Sequence, residues 1–114
     1  MPEATEVVDR QFAAFQARDT DAFLTFYAKD ARIRQFDGTV IAEGTDGLRA
    51  MYGPAFQDSP QLSARILNRI THGAYVVDEE SATGVNTPGW PSEIHAVVVY
   101  QVRDGLIQDV IFLT

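Results

Sequence analysis

Cysteine is absent from this sequence. Without it there is no disulfide frame, no thiolate nucleophile and no thiolate metal site. Histidine occurs only at positions 72 and 95, with no HxH or HxxxH spacing, so a metal site has little support and none is expected. No GxSxG, phosphate-cradling glycine loop or nucleophile–base arrangement occurs, and no cofactor is expected. Long apolar runs are also missing. The longest, Ala96 to Tyr100, is far too short to cross a bilayer. The opening residues MPEATEVVDR are acidic and lack the apolar stretch of a secretory signal, so the chain reads as soluble and cytoplasmic. Positive charge is scarce as well. Nine basic residues face sixteen acidic ones, for a net charge of −7. Such a surface repels phosphate backbones and anionic lipid, which excludes nucleic acid and membrane as expected partners.

What is present suits one domain spanning residues 1–114, with a core and room for a small pocket. The organising stretch is FYAKDARIRQF, Phe26 to Phe36. Phe23, Phe26 and Tyr27 fall at helical spacing with Ala22, whereas Ile33 alternates with Arg32 and Arg34. A change from period 3.6 to period 2 marks a helix-to-strand corner. Before it, Val8, Phe12 and Phe15 predict a first helix over Glu3 to Arg18. Asp19-Thr20-Asp21 supplies cap residues for a second helix reaching about Ala28.

Beyond the corner, a strand over about Ala31 to Phe36 meets the turn Asp37-Gly38 and returns over Thr39 to Glu43. Leu48, Met51, Tyr52, Ala55 and Phe56 form the apolar stripe of a third helix, with a kink or restart expected at Gly53-Pro54. Strands follow from Gln61-Leu62 to Thr71, from Ala74 to Val85, from Glu93 to Arg103 and from Leu106 to Leu113. Asp78-Glu79-Glu80 reads as an exposed bend. Helices gathered first and strands after them predict an α+β fold: a curved, mostly antiparallel sheet wrapped on three helices as a cone with a cavity.

The segments FYAKDA, EGTDGLRAMY and YQVRDGLIQDVIF resemble the nuclear transport factor 2-like superfamily, which includes ketosteroid isomerases and SnoaL-like polyketide cyclases. The resemblance covers nearly the whole chain and implies a cystatin-like, ketosteroid-isomerase-like cone with a mixed sheet. It specifies architecture better than chemistry. The isomerase base corresponds to Gln35, its first-helix phenol to Gln11, and its second donor to Val98 or a neighbour. The buttressing tyrosines correspond to Tyr27 and Tyr52. An amide at position 35 cannot take up and return a proton near neutral pH, so isomerisation by the family mechanism is not expected.

The resemblance implies a cavity lined by Gln11, Phe15, Tyr27, Ile33, Gln35, Tyr52, Phe56 and Val98. Trp90, in a Pro/Gly loop, is read as capping the cavity mouth, packing at a subunit boundary or covering the sheet edge. Strand alternation puts His95 on the outer sheet face, which in this superfamily commonly forms a homodimer interface. Arg32 and Arg34, and likewise Arg65 and Arg69, are read as solvated or ion-paired on the sheet surface. Three functions stay open. The first is binding of a small, mostly apolar molecule, with no carboxylate in the cavity. The second is a SnoaL-like enzyme (isomerase, cyclase, dehydratase or hydrolase) using Asp30, Asp109 or His95 as a relocated acid or base. The third is a dimeric assembly module without a ligand.

Overall fold

A computed structural model describes residues 3–113. Helix α1 (Ala4–Gln16) buries Val7, Val8, Gln11 and Ala14. Helix α2 (Thr20–Leu24) starts where the Asp19 carboxylate accepts a hydrogen bond from the Ala22 amide at 3.1 Å, capping the first turn. It is shorter than the apolar spacing predicts. The chain turns at Thr25, and the Phe26 carbonyl accepts from the Ile107 amide at 2.8 Å. Pairing with the sheet has overridden helical spacing there, and strand β1 (Tyr27–Gln35) begins four residues before the expected start.

Strand β2 (Val40–Glu43) leads into α3 (Gly44–Asp58). This helix runs unbroken through Gly53-Pro54. Pro54 and Ala50, the residue whose carbonyl loses its donor, both lie on the exposed face, where water can replace the missing bond.

Strands β3 (Ser63–His72), β4 (Tyr75–Thr83), β5 (Ile94–Arg103) and β6 (Leu106–Leu113) complete one six-stranded sheet in the order β2-β1-β6-β5-β4-β3. Only the β1–β6 pairing is parallel, so the sheet is mixed and mostly antiparallel. Asp104 and Gly105 both take positive φ, 55° and 76°, the geometry of a tight two-residue hairpin.

Asp78-Glu79-Glu80 is not a bend. It lies mid-strand in β4, with Asp78 facing Val98 and Glu80 facing Ala96 on β5. Alternation then sends Asp78 and Glu80 toward the helices and Glu79 outward. Arg69 also departs from the sheet surface. A bulge between Ile66 and Asn68 shifts its parity, so it bonds Asp78 in a fork at 2.7 and 2.9 Å and reaches Asp9 on α1 at 2.7 Å. No described helix is long and apolar enough to cross a membrane.

Candidate functional site

The inner sheet face and the helices enclose a cavity of about 110 Å³. From α1 come Gln11, Phe12 and Phe15; from α2, Phe23; from α3, Met51 and Tyr52. The sheet contributes Glu80 and Ala82 from β4, Ala96, Val98 and Tyr100 from β5, and Phe112 from β6. Trp90, in the loop before β5, and Ile94 also line it. The aromatic wall is continuous. The Phe23 ring lies 4.7 Å from that of Tyr52, and Phe15 meets Tyr52 edge-on at 6.5 Å. Such offset and edge-on pairs favour a fixed arrangement.

Of the residues singled out in the sequence, Gln11, Phe15, Tyr52, Val98 and Trp90 line this cavity. Tyr27 lies behind the lining, where its hydroxyl donates to Gln11 Oε1 at 2.8 Å. Gln11 Nε2 donates to the Val8 carbonyl. The amide is therefore oriented from both ends, and burial raises the Tyr27 phenol well above its ordinary pKa. Phe56 also stands behind, packed edge-on against Phe15 and Phe23 at 5.3 and 5.4 Å. Ile33 is fully buried in the core and is not part of the lining.

Gln35 is exposed at the end of β1. It borders a second, more open hollow of about 490 Å³ that shares Met51, Trp90, Ile94, Ala96 and Phe112 with the first. It has the inward parity of Ile33, but the strand has reached the rim of the sheet and a bulge follows Ile33.

The three candidate acid–base groups lie outside the aromatic cavity. Asp30 is exposed and accepts from Gln108 at 2.9 Å. Asp109 forms a two-point ion pair with Arg34, at 3.1 and 2.6 Å. His95 points outward and pairs with Glu79 at 2.7 Å; it borders the second hollow. Odd-numbered positions of β5 face away from the helices, which accounts for His95.

The expectation of a binding cavity without a carboxylate is wrong: Glu80 lines it, and sequence reasoning missed that residue. It is the one carboxyl lining the cavity among the described residues. Tyr100 donates its hydroxyl to Glu80 Oε2 at 2.9 Å. Burial raises the Glu80 pKa to about 7, against the opposing effect of the Tyr100 bond; the Asp78 charge raises it further and Arg69 lowers it. The Tyr100 and Tyr52 phenols are raised mainly by burial and further by the Glu80 charge. Val76 and Ala82, which share the parity of Glu80, carried the signal that this segment continues as a strand. Among the described residues, no group of three His, Asp or Glu side chains gathers to hold a metal ion.

A cone of this topology around an aromatic hollow defines a cystatin-like, nuclear transport factor 2-like protein. A family model for the SnoaL-like domain matches residues 8–110, and the chain belongs to that family. No curated protein matches significantly. Among solved structures, an uncharacterised cystatin-fold protein from Novosphingobium aromaticivorans is 29% identical, with full coverage of both chains and a TM-score of 0.89. A computationally designed 17-OHP binder is 20% identical over 97% of this chain and 92% of its own, with a TM-score of 0.82. A putative polyketide cyclase from Sinorhizobium meliloti is 21% identical over 99% and 95%, with a TM-score of 0.77.

Proposed function

We propose that the protein binds a small, mostly apolar molecule in the aromatic cavity, with the molecule's polar end against Glu80 and Tyr100. One observation carries this reading: a hollow walled by aromatic and aliphatic side chains holds a single carboxyl. Ligand sites commonly combine an apolar wall with few, fixed polar groups. An engineered cavity of about 150 Å³ accepts benzene, so a ring of similar size suits this one if it extends into the neighbouring hollow. The designed 17-OHP binder supports the use of this fold for apolar guests. Trp90 is the only tryptophan and lines the cavity, so its emission reports occupancy. Titration with cyclohexanol is expected to give a saturable change in the wild type and none in Ala96→Phe, which fills the hollow. A non-saturable response identical in both proteins contradicts the reading.

Glu80 favours a second reading, a SnoaL-like enzyme whose acid–base group sits on β4. A carboxyl titrating near 7 beside a phenol can accept a proton from carbon and return it. Cyclohexanone in D₂O then exchanges its α-protons faster than in buffer, and Glu80→Gln abolishes the gain. Exchange at the buffer rate excludes this chemistry for that ketone.

The outer sheet face supports a homodimer. Ile70, Val77, Val99 and Ile111 pair in one row across four strands, and Ile70 is 69% exposed. Apolar rows of this kind mark interaction surfaces. Light scattering is expected to give twice the chain mass for the wild type and the chain mass for Val99→Glu; a monomeric wild type contradicts the dimer.

A further inference from the structure

We infer that the ligand is an organic cation: an amine whose ammonium sits against Glu80 and whose hydrocarbon part packs among the aromatic rings. The inference deepens the binding reading above and rests on it. Glu80 is an acid in an apolar hollow, and no lysine, arginine or histidine lines that hollow among the described residues. The nearby cation, Arg69, is already shared between Asp78 and Asp9. Tyr100 occupies Oε2 and is the only hydrogen-bond partner of Glu80 among the described residues. Oε1 has no protein donor among the described residues and is open to the hollow.

A partly buried carboxyl facing an apolar hollow either keeps a proton or takes an external positive charge. Burial and the Asp78 charge bring the protonated and charged forms close to balance near neutrality. An ammonium replaces the proton and supplies the missing donors. The rings of Phe15, Phe23, Tyr52 and Trp90 stand around the same space, and aromatic faces attract cations through their quadrupoles. The net charge of −7 draws cations toward the mouth.

The groups facing Glu80 bound its pH response. They are Tyr100 on β5, Tyr52 on α3, Tyr27 on β1, Asp78 on β4 and Arg69 on β3. The phenols are raised above their ordinary values and stay neutral, and Arg69 stays charged. Through neutral pH, Glu80 is therefore the group among these that changes charge.

The test compares cyclohexylamine with cyclohexanol, which have nearly the same shape and differ in charge, by Trp90 emission at pH 8 and pH 5.5. At pH 8 the amine is expected to bind at least about tenfold more tightly, one charge-assisted hydrogen bond's worth. That advantage is expected to shrink at pH 5.5, where Glu80 is protonated and the amine is still charged. Glu80→Gln is expected to lose the preference, the amine falling to the affinity of the alcohol, while far-UV circular dichroism matches the wild type. Cyclohexanol binding as tightly as the amine at pH 8, or a preference that survives Glu80→Gln, overturns the inference and leaves the binding reading standing. Saturable binding of neither probe overturns both.

Discussion

Asp78 and Glu80 lie two residues apart on β4 and point the same way, yet they meet opposite surroundings. Asp78 is fully buried and held by both nitrogens of the Arg69 fork. Glu80 faces the cavity with a phenol as its partner. A buried acid matched to a cation is part of the scaffold. A partly buried acid left without one is available to a proton or a guest. Arg69 bonds Asp78 and Asp9, and its charge lowers the Glu80 pKa by less than burial raises it.

The largest expected effect falls on the scaffold acid. Arg69→Met strands Asp78 inside the fold and is expected to cost about 3–5 kcal/mol in denaturant unfolding. A loss below about 1 kcal/mol means that Asp78 finds another partner and that the two acids are less different than their geometry suggests.

Next comes the cavity acid. Its pKa is raised in the folded state to about 7, so between the ordinary glutamate value and 7 the folded protein holds a proton that the unfolded chain has released. Stability is therefore fully present below about pH 4.5 and falls as pH rises toward 7, by about 3 kcal/mol. The lowered carboxyls of Asp30, Asp37 and Glu79 act in the opposite direction, and only below the ordinary carboxylate range. Glu80→Gln is expected to flatten the decline; an unchanged profile places its origin elsewhere.

Tyr100→Phe is smaller, about 1 kcal/mol, and moves the Glu80 titration upward because the carboxylate loses its donor. A downward shift in carboxyl NMR contradicts that role. The smallest effect is expected at Glu79, the outward neighbour of both acids. Its pair with His95 is exposed, and Glu79→Gln is expected to leave the denaturant midpoint nearly unchanged.

The contrast between neighbours also explains what was legible in the sequence. Leu106 to Leu113 and the turn before it read correctly, because alternation and Asp-Gly turn chemistry act locally. The third helix was legible from its stripe, and Asp19 from its place before the second. The end of that second helix was not, because the bond between Phe26 and Ile107 joins residues 81 positions apart. Three consecutive acids resembled a solvated bend, and only the arrival of Arg69, redirected by a bulge, makes one of them a core residue. Gln11, Phe15, Tyr52, Val98 and Trp90 were found from pattern and resemblance. Glu80 was missed because its meaning depends on what does not face it.

Carboxyl-resolved ¹³C NMR of Glu80, titrated with and without cyclohexylamine, reads the charge of the cavity acid and its response to an ammonium. A free-protein midpoint of about 7 that falls when the amine binds is expected. A midpoint in the ordinary glutamate range, unmoved by the amine, would contradict it.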